Sequence, residues 1–291
     1  MKKVTIQSPF FYAPILKGLI IMPKSLKISL SIILALGSIL ACIIAGQSLM
    51  TTAKQAAHNE QIKQEKQLFR HLKTQLQTTI NHDKIEAQIG VYDETTHHII
   101  LVNYPNQIEG MPLGDTVKLA VLVNQLHNQR TFTPSDQVLA DKMLRHQNNA
   151  ATNQLLQAQG GYQAPDQLFE QLNMPQTMMD PNNLQNSYST ASDQITFLRQ
   201  IFYDSSLLSD KTKVMTQQLM TQDNLPNQGV GQSDLNVSQT DDQTWIANKV
   251  GHVKSSQHDY VFAILSDHHI SQKDGLTYVN HLSQIINDSL H

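Results

Sequence analysis

The stretch LGDTVKLAVLVNQL, residues 113–126, has the most uniformly apolar helical pattern in this chain outside its N-terminal part. Its apolar residues stand nearly all round the helix that they would form, which is typical of a helix buried on every side. Asp115 stands where a helix N-cap residue would stand, and Lys118 follows three positions later on the same face. Since a buried lysine needs a partner, the stretch predicts a core helix with a charged pair near its start.

Helical and strand periodicity continues on both sides of this stretch. Before it, leucines one turn apart predict a helix over about 60–80, and two alternating segments predict a β-hairpin. After it, the pattern predicts a block of short helices, then two strands and a terminal amphipathic helix. The predicted ranges are 87–92 and 98–102 for the hairpin, 134–145, 149–158, 165–172, 191–203 and 210–221 for the helices, and 245–253 and 260–265 for the strands.

The order of these elements predicts an α+β fold with three layers, α/β/α. Strands from both ends of the chain would form one mostly antiparallel sheet, with a helical subdomain inserted between them. Residues 67–291 are expected to form this folded domain.

Composition excludes several functions for the 291-residue chain. Its 21 basic and 24 acidic residues give a formal net charge of -3, so nothing suggests nucleic acid as a partner. Its one cysteine, Cys42, excludes a disulfide within the chain. Two pairs of its 13 histidines, His97-His98 and His268-His269, are adjacent, and neighbours along a strand point to opposite faces. We therefore expect neither a metal nor another cofactor.

Two further stretches carry polar residues at the edges of predicted elements. MLRHQNNAATNQLL, residues 143–156, contains Gln147-Asn148-Asn149 just before a predicted helix. WIANKVGHV, residues 245–253, contains Lys249-Val250-Gly251 on a predicted strand. Each short pattern could arise by chance, but their order and spacing relative to residues 113–126 carry more information.

In this order the three stretches resemble the S-x-x-K, S-D-N and K-T-G motifs of class A β-lactamases and penicillin-binding proteins, a family of serine hydrolases. The resemblance covers about residues 60–290. In this family, backbone N–H groups at the nucleophile and on the third-motif strand form the oxyanion hole. The catalytic positions that the resemblance implies are Asp115 (at the nucleophile position), Lys118, Gln147, Asn149, Lys249 and Gly251.

Departures from these motifs predict a degenerate member of the family. Asp115 replaces the nucleophilic serine, and a carboxylate beside Lys118 would hold the lysine protonated, so the base is lost too. Thr116 carries a hydroxyl but lies roughly 100° around the helix. The E-x-x-L-N deacylation motif is absent, and Asp180 in the corresponding loop is a poor substitute with a shorter reach.

Three functional hypotheses follow from these departures. The first is a non-catalytic pseudoenzyme that binds a cell-wall peptide, a muropeptide-like ligand or an envelope protein. The second is an active β-lactamase or cell-wall peptidase in which Asp115 or Thr116 does unexpected chemistry. The third is a structural envelope protein without a ligand site. The first is the preferred hypothesis.

The position of the third motif has two interpretations, because the family has two further strands after it. Either one strand is lost and Lys249-Val250-Gly251 holds the position, or residues 245–253 are the penultimate strand and the motif is the degenerate Ser238-Gln239-Thr240. The first interpretation is preferred, because the match to the motif and the spacing to His258-Asp259 agree.

The N-terminal part of the chain predicts a membrane anchor. Residues 1–27 contain five lysines and no acidic residue, and an uncharged run follows at 28–46. Its 19 residues would span roughly 28 Å as a helix, close to the hydrocarbon thickness of a bilayer. The lysines place residues 1–27 in the cytoplasm and the domain outside. Residues 47–66 are polar and predict a stalk.

Three alternatives compete with the anchor. A cleaved signal peptide would need a site such as Ala45-Gly46-Gln47, which is weak. A lipoprotein modified at Cys42 would need a better lipobox residue than Leu40. A buried core helix does not fit the flanking lysines. Met22 is an alternative start, since the residues after it form a compact export signal.

We expect the chain to stay in the membrane fraction after high-salt washing and to enter solution only with detergent, because residues 28–46 remain attached. Cell fractionation with N-terminal sequencing checks this. A protein beginning near residue 46 in the medium would contradict it, and globomycin-sensitive processing at Cys42 would indicate a lipoprotein.

Overall fold

The computed structural model describes residues 24–106, 110–128, 132–203, 206–224, 230–239 and 243–290. Within these ranges, most side chains of residues 24–53 and those of residues 221–236 lie outside the description. The chain divides into two compact units, Met1–Gln64 and Glu65–His291. The second unit contains the sheet and both hydrophobic cores.

A single helix, α1 (Lys24–Asp83), contains the predicted anchor and the predicted stalk. No helix in the described part of the chain is long and apolar enough to cross a bilayer. Most side chains of residues 28–46 lie outside that part, so the anchor stays a prediction. In the second unit, Leu72, Leu76 and Ile80 are fully buried at one-turn spacing, which confirms the one-sided packing expected there.

The strands come from both ends of the second unit. They are β1 (Ala87–Asp93), β2 (His98–Tyr104), β3 (Met111–Pro112), β4 (Tyr188–Ser189), β5 (Thr221–Asn224), β6 (Val230–Gln239), β7 (Trp245–Lys254) and β8 (Asp259–His269). Six of these form an antiparallel sheet in the order β2-β1-β8-β7-β6-β5, and β3 pairs with β4. The predicted sheet from both chain ends is therefore confirmed.

A helical subdomain is inserted between β2 and β5. Its helices are α2 (Val117–Asn128), α3 (Pro134–Arg145), α4 (Asn149–Gln159), α5 (Asp166–Gln171), α6 (Ala191–Phe202) and α7 (Asp210–Leu219), and the terminal helix is α8 (Gln272–Ser289). These bounds agree with the predicted ranges to within a few residues. Gly160 ends α4 in the left-handed conformation, with φ +109°.

The sequence Thr190-Ala191-Ser192-Asp193 has the pattern of a capping box, and at the start of α6 one of its two hydrogen bonds is formed. The Thr190 hydroxyl accepts a hydrogen bond from the Asp193 N–H at 3.2 Å. The Asp193 carboxylate instead accepts bonds from the Gln176 N–H and the Thr177 hydroxyl, both at 2.8 Å. The Asp193 carboxylate therefore connects the loop before α6 to the helix by hydrogen bonds.

The sheet lies between two hydrophobic cores, which gives the predicted three-layer α+β arrangement. On one face, α8 and the end of α1 pack against the sheet through residues such as Leu76 and Leu282. On the other face, the helical subdomain packs through residues such as Leu122 and Leu155. Helix α2 lies inside this second core, and its residues from Val117 to Gln125 are all buried, as the uniform apolar pattern predicted.

Gly90 allows close packing between β1 and α6. A Cβ at this position would lie 2.6 Å from Ile195 Cγ1 and 3.0 Å from the Ala191 carbonyl oxygen. Neither neighbour can move without shifting α6, because one is a buried core side chain and the other is backbone. A larger residue here would therefore strain the helix–sheet contact.

The structure corrects the expectation that residues 245–253 hold the third motif and that one of the strands after them is lost, because these residues form the penultimate strand, β7. Strands β5 and β6 precede β7 and extend the sheet on that side. Strand β6, VGQSDLNVSQ, has apolar residues only at Val230, Leu235 and Val237, so it lacks the period-two alternation that marks a strand. Its pairing with β7 over ten residue pairs supplies the structure that its own sequence pattern does not predict.

Two aspartates organise the end of the sheet where β1, β7 and β8 meet. Buried Asp93 contacts His258 Nδ1 through Oδ2 at 2.7 Å and accepts the Thr96 hydroxyl at 2.8 Å. Burial alone would raise the pKa of the Asp93 carboxyl, but hydrogen bonds from His258 and Thr96 outweigh it and lower the pKa. Asp259 contacts His252 Nε2 at 2.8 Å and Lys254 Nζ at 2.7 Å.

The Asp259 carboxyl is expected to make the free energy of unfolding depend on pH in the acidic range. Burial raises its pKa, but hydrogen bonds from His252 and Lys254 dominate and hold the pKa at about 2, below the ordinary 3.8. A carboxyl with a depressed pKa in the folded state stabilises the fold above its unfolded pKa, and this contribution is lost as the pH falls through the folded value. We therefore expect the melting temperature of the parent to drop more between pH 4 and pH 2 than that of Asp259→Asn. Equal slopes in thermal melts would contradict this.

Candidate active site

The chain enters α2 through a 3-10 turn, Gly114–Thr116, rather than through a side-chain cap. The N-cap residue of this turn is Leu113, and no side chain caps it. The interpretation of Asp115 as the helix cap is therefore wrong. Its carboxylate instead turns along the helix and places Oδ1 2.9 Å from Lys118 Nζ. The predicted pairing of these two residues is present.

Lys118 is completely buried, with 0% of its side chain exposed. Besides Asp115, its ammonium donates to the Gln147 carbonyl oxygen at 3.2 Å and to Gln147 Oε1 at 3.1 Å. An ammonium has three N–H donors, so these three acceptors satisfy it fully. Lys118 therefore has no donor left for a ligand.

Gln147 is held in place to accept from Lys118. Its backbone lies in the left-handed region, with φ +49°, which turns its carbonyl toward the lysine. Its Nε2 donates to the Leu144 carbonyl at 3.0 Å, and this leaves Oε1 for Lys118. Asn148 caps α4 by accepting from the Ala151 N–H at 2.9 Å. The side chain of Asn149 is exposed and lines an open cleft.

Strand β6 runs beside the nucleophile position. The Asp115 N–H donates to Ser238 Oγ at 3.3 Å. A Cβ on Gly114, which has φ +50°, would lie 3.0 Å from the same oxygen, so glycine permits this close approach. The second interpretation of the third motif, Ser238-Gln239-Thr240, is therefore the one that places its residues at the site, although Thr240 lies outside the described residues.

Lys249 and Gly251 do not join this cluster, which corrects the preferred interpretation. Lys249 Nζ donates to Asn280 Oδ1 at 3.3 Å and to Ser283 Oγ at 3.4 Å, both on α8. Because successive side chains of a strand point to opposite faces, Gly251 shares the face of Lys249 and not that of α2. Lys249-Val250-Gly251 thus resembles K-T-G in residue type, but it lies on β7 instead of β6, and Lys249 and Gly251 lie on the face that packs against α8.

Asn248 and Ser187 support the site from two sides, and sequence analysis missed both. Asn248 Nδ2 donates to the carbonyls of Pro112 and Leu113, at 3.0 and 2.9 Å. The Ser187 carbonyl accepts the Leu113 N–H at 2.7 Å. Both residues are fully buried. A polar residue in a predicted buried strand was the available signal for Asn248, whereas Ser187 lies in a loop without periodicity.

Asp180 does not reach the cleft. Its carboxylate accepts the N–H groups of Asn182 and Asn183, each at 2.7 Å, within its own turn. These backbone hydrogen bonds lower the pKa of the Asp180 carboxyl. Thr116, the other hydroxyl near the nucleophile position, is only 3% exposed and does not line the cleft.

The cleft has a volume of about 180 Å³. It is lined by Asp115, Asn149, Thr152, Asn153, Tyr162, Asn182, Asn183, Leu184 and Gln185. Among these described residues are five amides and one carboxylate, but no lysine, arginine or histidine. The arrangement can exchange hydrogen bonds with a polar ligand.

Comparison with known proteins shows a consistent similarity. The family model described as "Beta-lactamase enzyme family" matches residues 125–290, more than half of the chain. The match begins after Asp115 and Lys118. No curated protein matches the chain.

Solved structures share the fold at low sequence identity. The TLA-3 extended-spectrum β-lactamase is 13% identical, with a TM-score of 0.63 over 76% of this chain and 98% of its own. A class A β-lactamase from Bacteroides cellulosilyticus is 15% identical, with a TM-score of 0.61 over 77% and 98%. The chromosome-encoded β-lactamase of Vibrio parahaemolyticus is 13% identical, with a TM-score of 0.60 over 75% and 98%. Residues outside the N-terminal segment thus fold as these enzymes do.

We expect Lys118→Ala and Asp115→Ala to lower the free energy of unfolding by about 3–5 kcal/mol, because each strands one charge of a buried pair. Asp115→Ser should cost less, since a hydroxyl can still accept from the ammonium. Lys142→Ala, which removes an exposed lysine of the same subdomain, is the control and should change it by less than about 0.5 kcal/mol. Chemical denaturation of the four variants measures this. If all four unfold like the parent, the pair does not stabilise the fold.

Proposed function

The chain belongs to the β-lactamase enzyme family, and we propose that it is a non-catalytic member that binds a cell-wall peptide, a muropeptide-like ligand or an envelope protein partner. The observation that carries this proposal is the ion pair between Asp115 and Lys118 at the nucleophile position, 2.9 Å long. A carboxylate stands where the attacking hydroxyl would be, and it binds the group that would activate that hydroxyl.

Loss of the nucleophile and loss of the base follow from this one pair. Serine hydrolases attack a carbonyl with a hydroxyl whose proton passes to a neighbouring base. Here the Lys118 side chain contacts three acceptors, the Asp115 carboxylate among them, and no hydroxyl nucleophile. Removing the nucleophile of such an enzyme costs on the order of 10⁶ in turnover.

The third catalytic device is also blocked. An oxyanion hole needs free backbone N–H groups aimed at the developing negative charge. The Asp115 N–H, which would be one of these donors, already donates to Ser238 Oγ. A substrate carbonyl would have to displace this hydroxyl before it could be polarised. This supports a binding role and disfavours the alternative of an active hydrolase with an unusual nucleophile.

What remains is an open, hydrogen-bonding cleft. Its amide side chains, such as those of Asn149 and Asn153, can pair with the donors and acceptors of a peptide backbone. The cleft therefore supports a ligand-binding role over a purely structural one.

We propose that the domain works on the outer side of the cell membrane, anchored by residues 28–46. The uncharged run and the lysines before it support this location. Such an anchor would keep the domain within reach of cell-wall peptides and of other envelope proteins.

We expect no covalent adduct when the chain is incubated with excess benzylpenicillin, because no serine stands three residues before Lys118. Intact-mass spectrometry checks this, and a stoichiometric adduct within residues 115–118 would contradict the proposal. Asp115→Ser should acylate slowly at most and should not turn over a chromogenic β-lactam, since the oxyanion position is occupied. Asp115→Asn, which also removes the carboxylate but supplies no hydroxyl, is the matched control and should stay unmodified.

A further inference from the structure

We propose that the cleft selects peptides that carry a free ammonium group and blocked carboxyl groups, and that it rejects peptides with a free carboxylate. The inference rests on the proposed function and names the ligand class of the same site. It follows from the charges around the cleft and from which of them remain available.

The first observation concerns the buried pair. Lys118 is completely buried and its three donors are taken, whereas Asp115 is 15% exposed and lines the cleft. The pair is therefore a dipole whose negative end faces the ligand. Asp115 uses Oδ1 for Lys118, so its carboxylate can still accept from a second donor.

The second observation concerns the residues that would neutralise an anion. None of the described residues that line the cleft is lysine, arginine or histidine. A ligand carboxylate would therefore lose its hydration near Asp115 without gaining a cationic partner, which is unfavourable. An ammonium in the same place would gain a carboxylate partner.

The amides explain why the ligand would be a peptide with blocked carboxyl groups. Asn149, Asn153 and Gln185 each offer donors and acceptors to the cleft and carry no charge. They match amide groups, including a carboxamide at the position of a carboxylate. Tyr162, whose hydroxyl donates to Asn153 Oδ1 at 3.2 Å, adds a ring that can cover an aliphatic stem.

Four synthetic peptides test the preference. They are Nα-acetyl-lysyl-D-alanyl-D-alanine as the free acid and as the C-terminal amide, each with the lysine side chain either free or acetylated. Isothermal titration calorimetry would measure their affinities for the full chain in an uncharged detergent at low ionic strength. We expect the amide with the free ammonium to bind best and the acetylated acid to bind worst, with roughly a fivefold difference in Kd for each charge. The preference should shrink as salt is added.

A variant of a residue that lines the cleft tests the same preference independently and leaves the Asp115–Lys118 pair unchanged. Asn149→Lys places a cation on an exposed position of the cleft, so it should fold normally and shift the preference toward the free acids. Gln137→Lys, which introduces the same charge at an exposed position outside the cleft, is the matched control and should keep the preference of the parent.

The outcomes separate the inference from the proposed function. Equal affinity for acids and amides, or tighter binding of the acids by the parent chain, overturns the inference and leaves a peptide-binding role in place. No change of preference in Asn149→Lys also overturns it, because the charges of the cleft would then not contact the peptide. If none of the four peptides binds at millimolar concentration, both the inference and the cell-wall-peptide role fail.

Discussion

The free-energy cost of burying the Lys118 ammonium group determines which polar groups lie around it in the core of this molecule. Lys118 lies on a helix that is apolar nearly all round, and it is excluded from water by the helical subdomain. A buried charge is tolerated only when acceptors replace its hydration. Those acceptors come from the 3-10 turn before its helix, through Asp115, and from the turn before α4, through Gln147. The left-handed backbone of Gln147 and the direction of the Asp115 side chain both serve this one requirement.

The sequence predicted those parts of the fold in which periodicity is strong. The helices of the subdomain, the first hairpin and β7 and β8 all carry an apolar repeat, and they lie where the pattern placed them. Strand β6 could not be found in this way, because it has few apolar residues. Its extended conformation is instead stabilised by ten residue pairs with β7. Sheet pairing is a contact between distant segments, and a local pattern does not contain it.

Part of the site was also predicted from local sequence patterns, and the part that depends on strand pairing was not. Asp115 and Lys118 were matched to a helical motif whose spacing fixes the face on which each side chain lies, and Gln147 was matched to the turn before a predicted helix. The structure brings these three together. The third motif was matched by letters along a strand, where a shift of one residue moves a side chain to the other face. Lys249 therefore contacts α8, and Ser238, which the second interpretation of the third motif names, contacts Asp115. Strand pairing had to be known before the motif could be placed.

The bond between Ser238 and the Asp115 N–H has an evolutionary consequence. Three groups near the nucleophile position now depend on one another, because the carboxylate, the Gln147 acceptors and the Ser238 hydroxyl each occupy a neighbour that catalysis would need free. A single substitution that changes one of these groups leaves the contacts of the other two in place. For the non-catalytic member proposed above, a return to catalysis would therefore need several coordinated substitutions, and a single one would bring no selective gain.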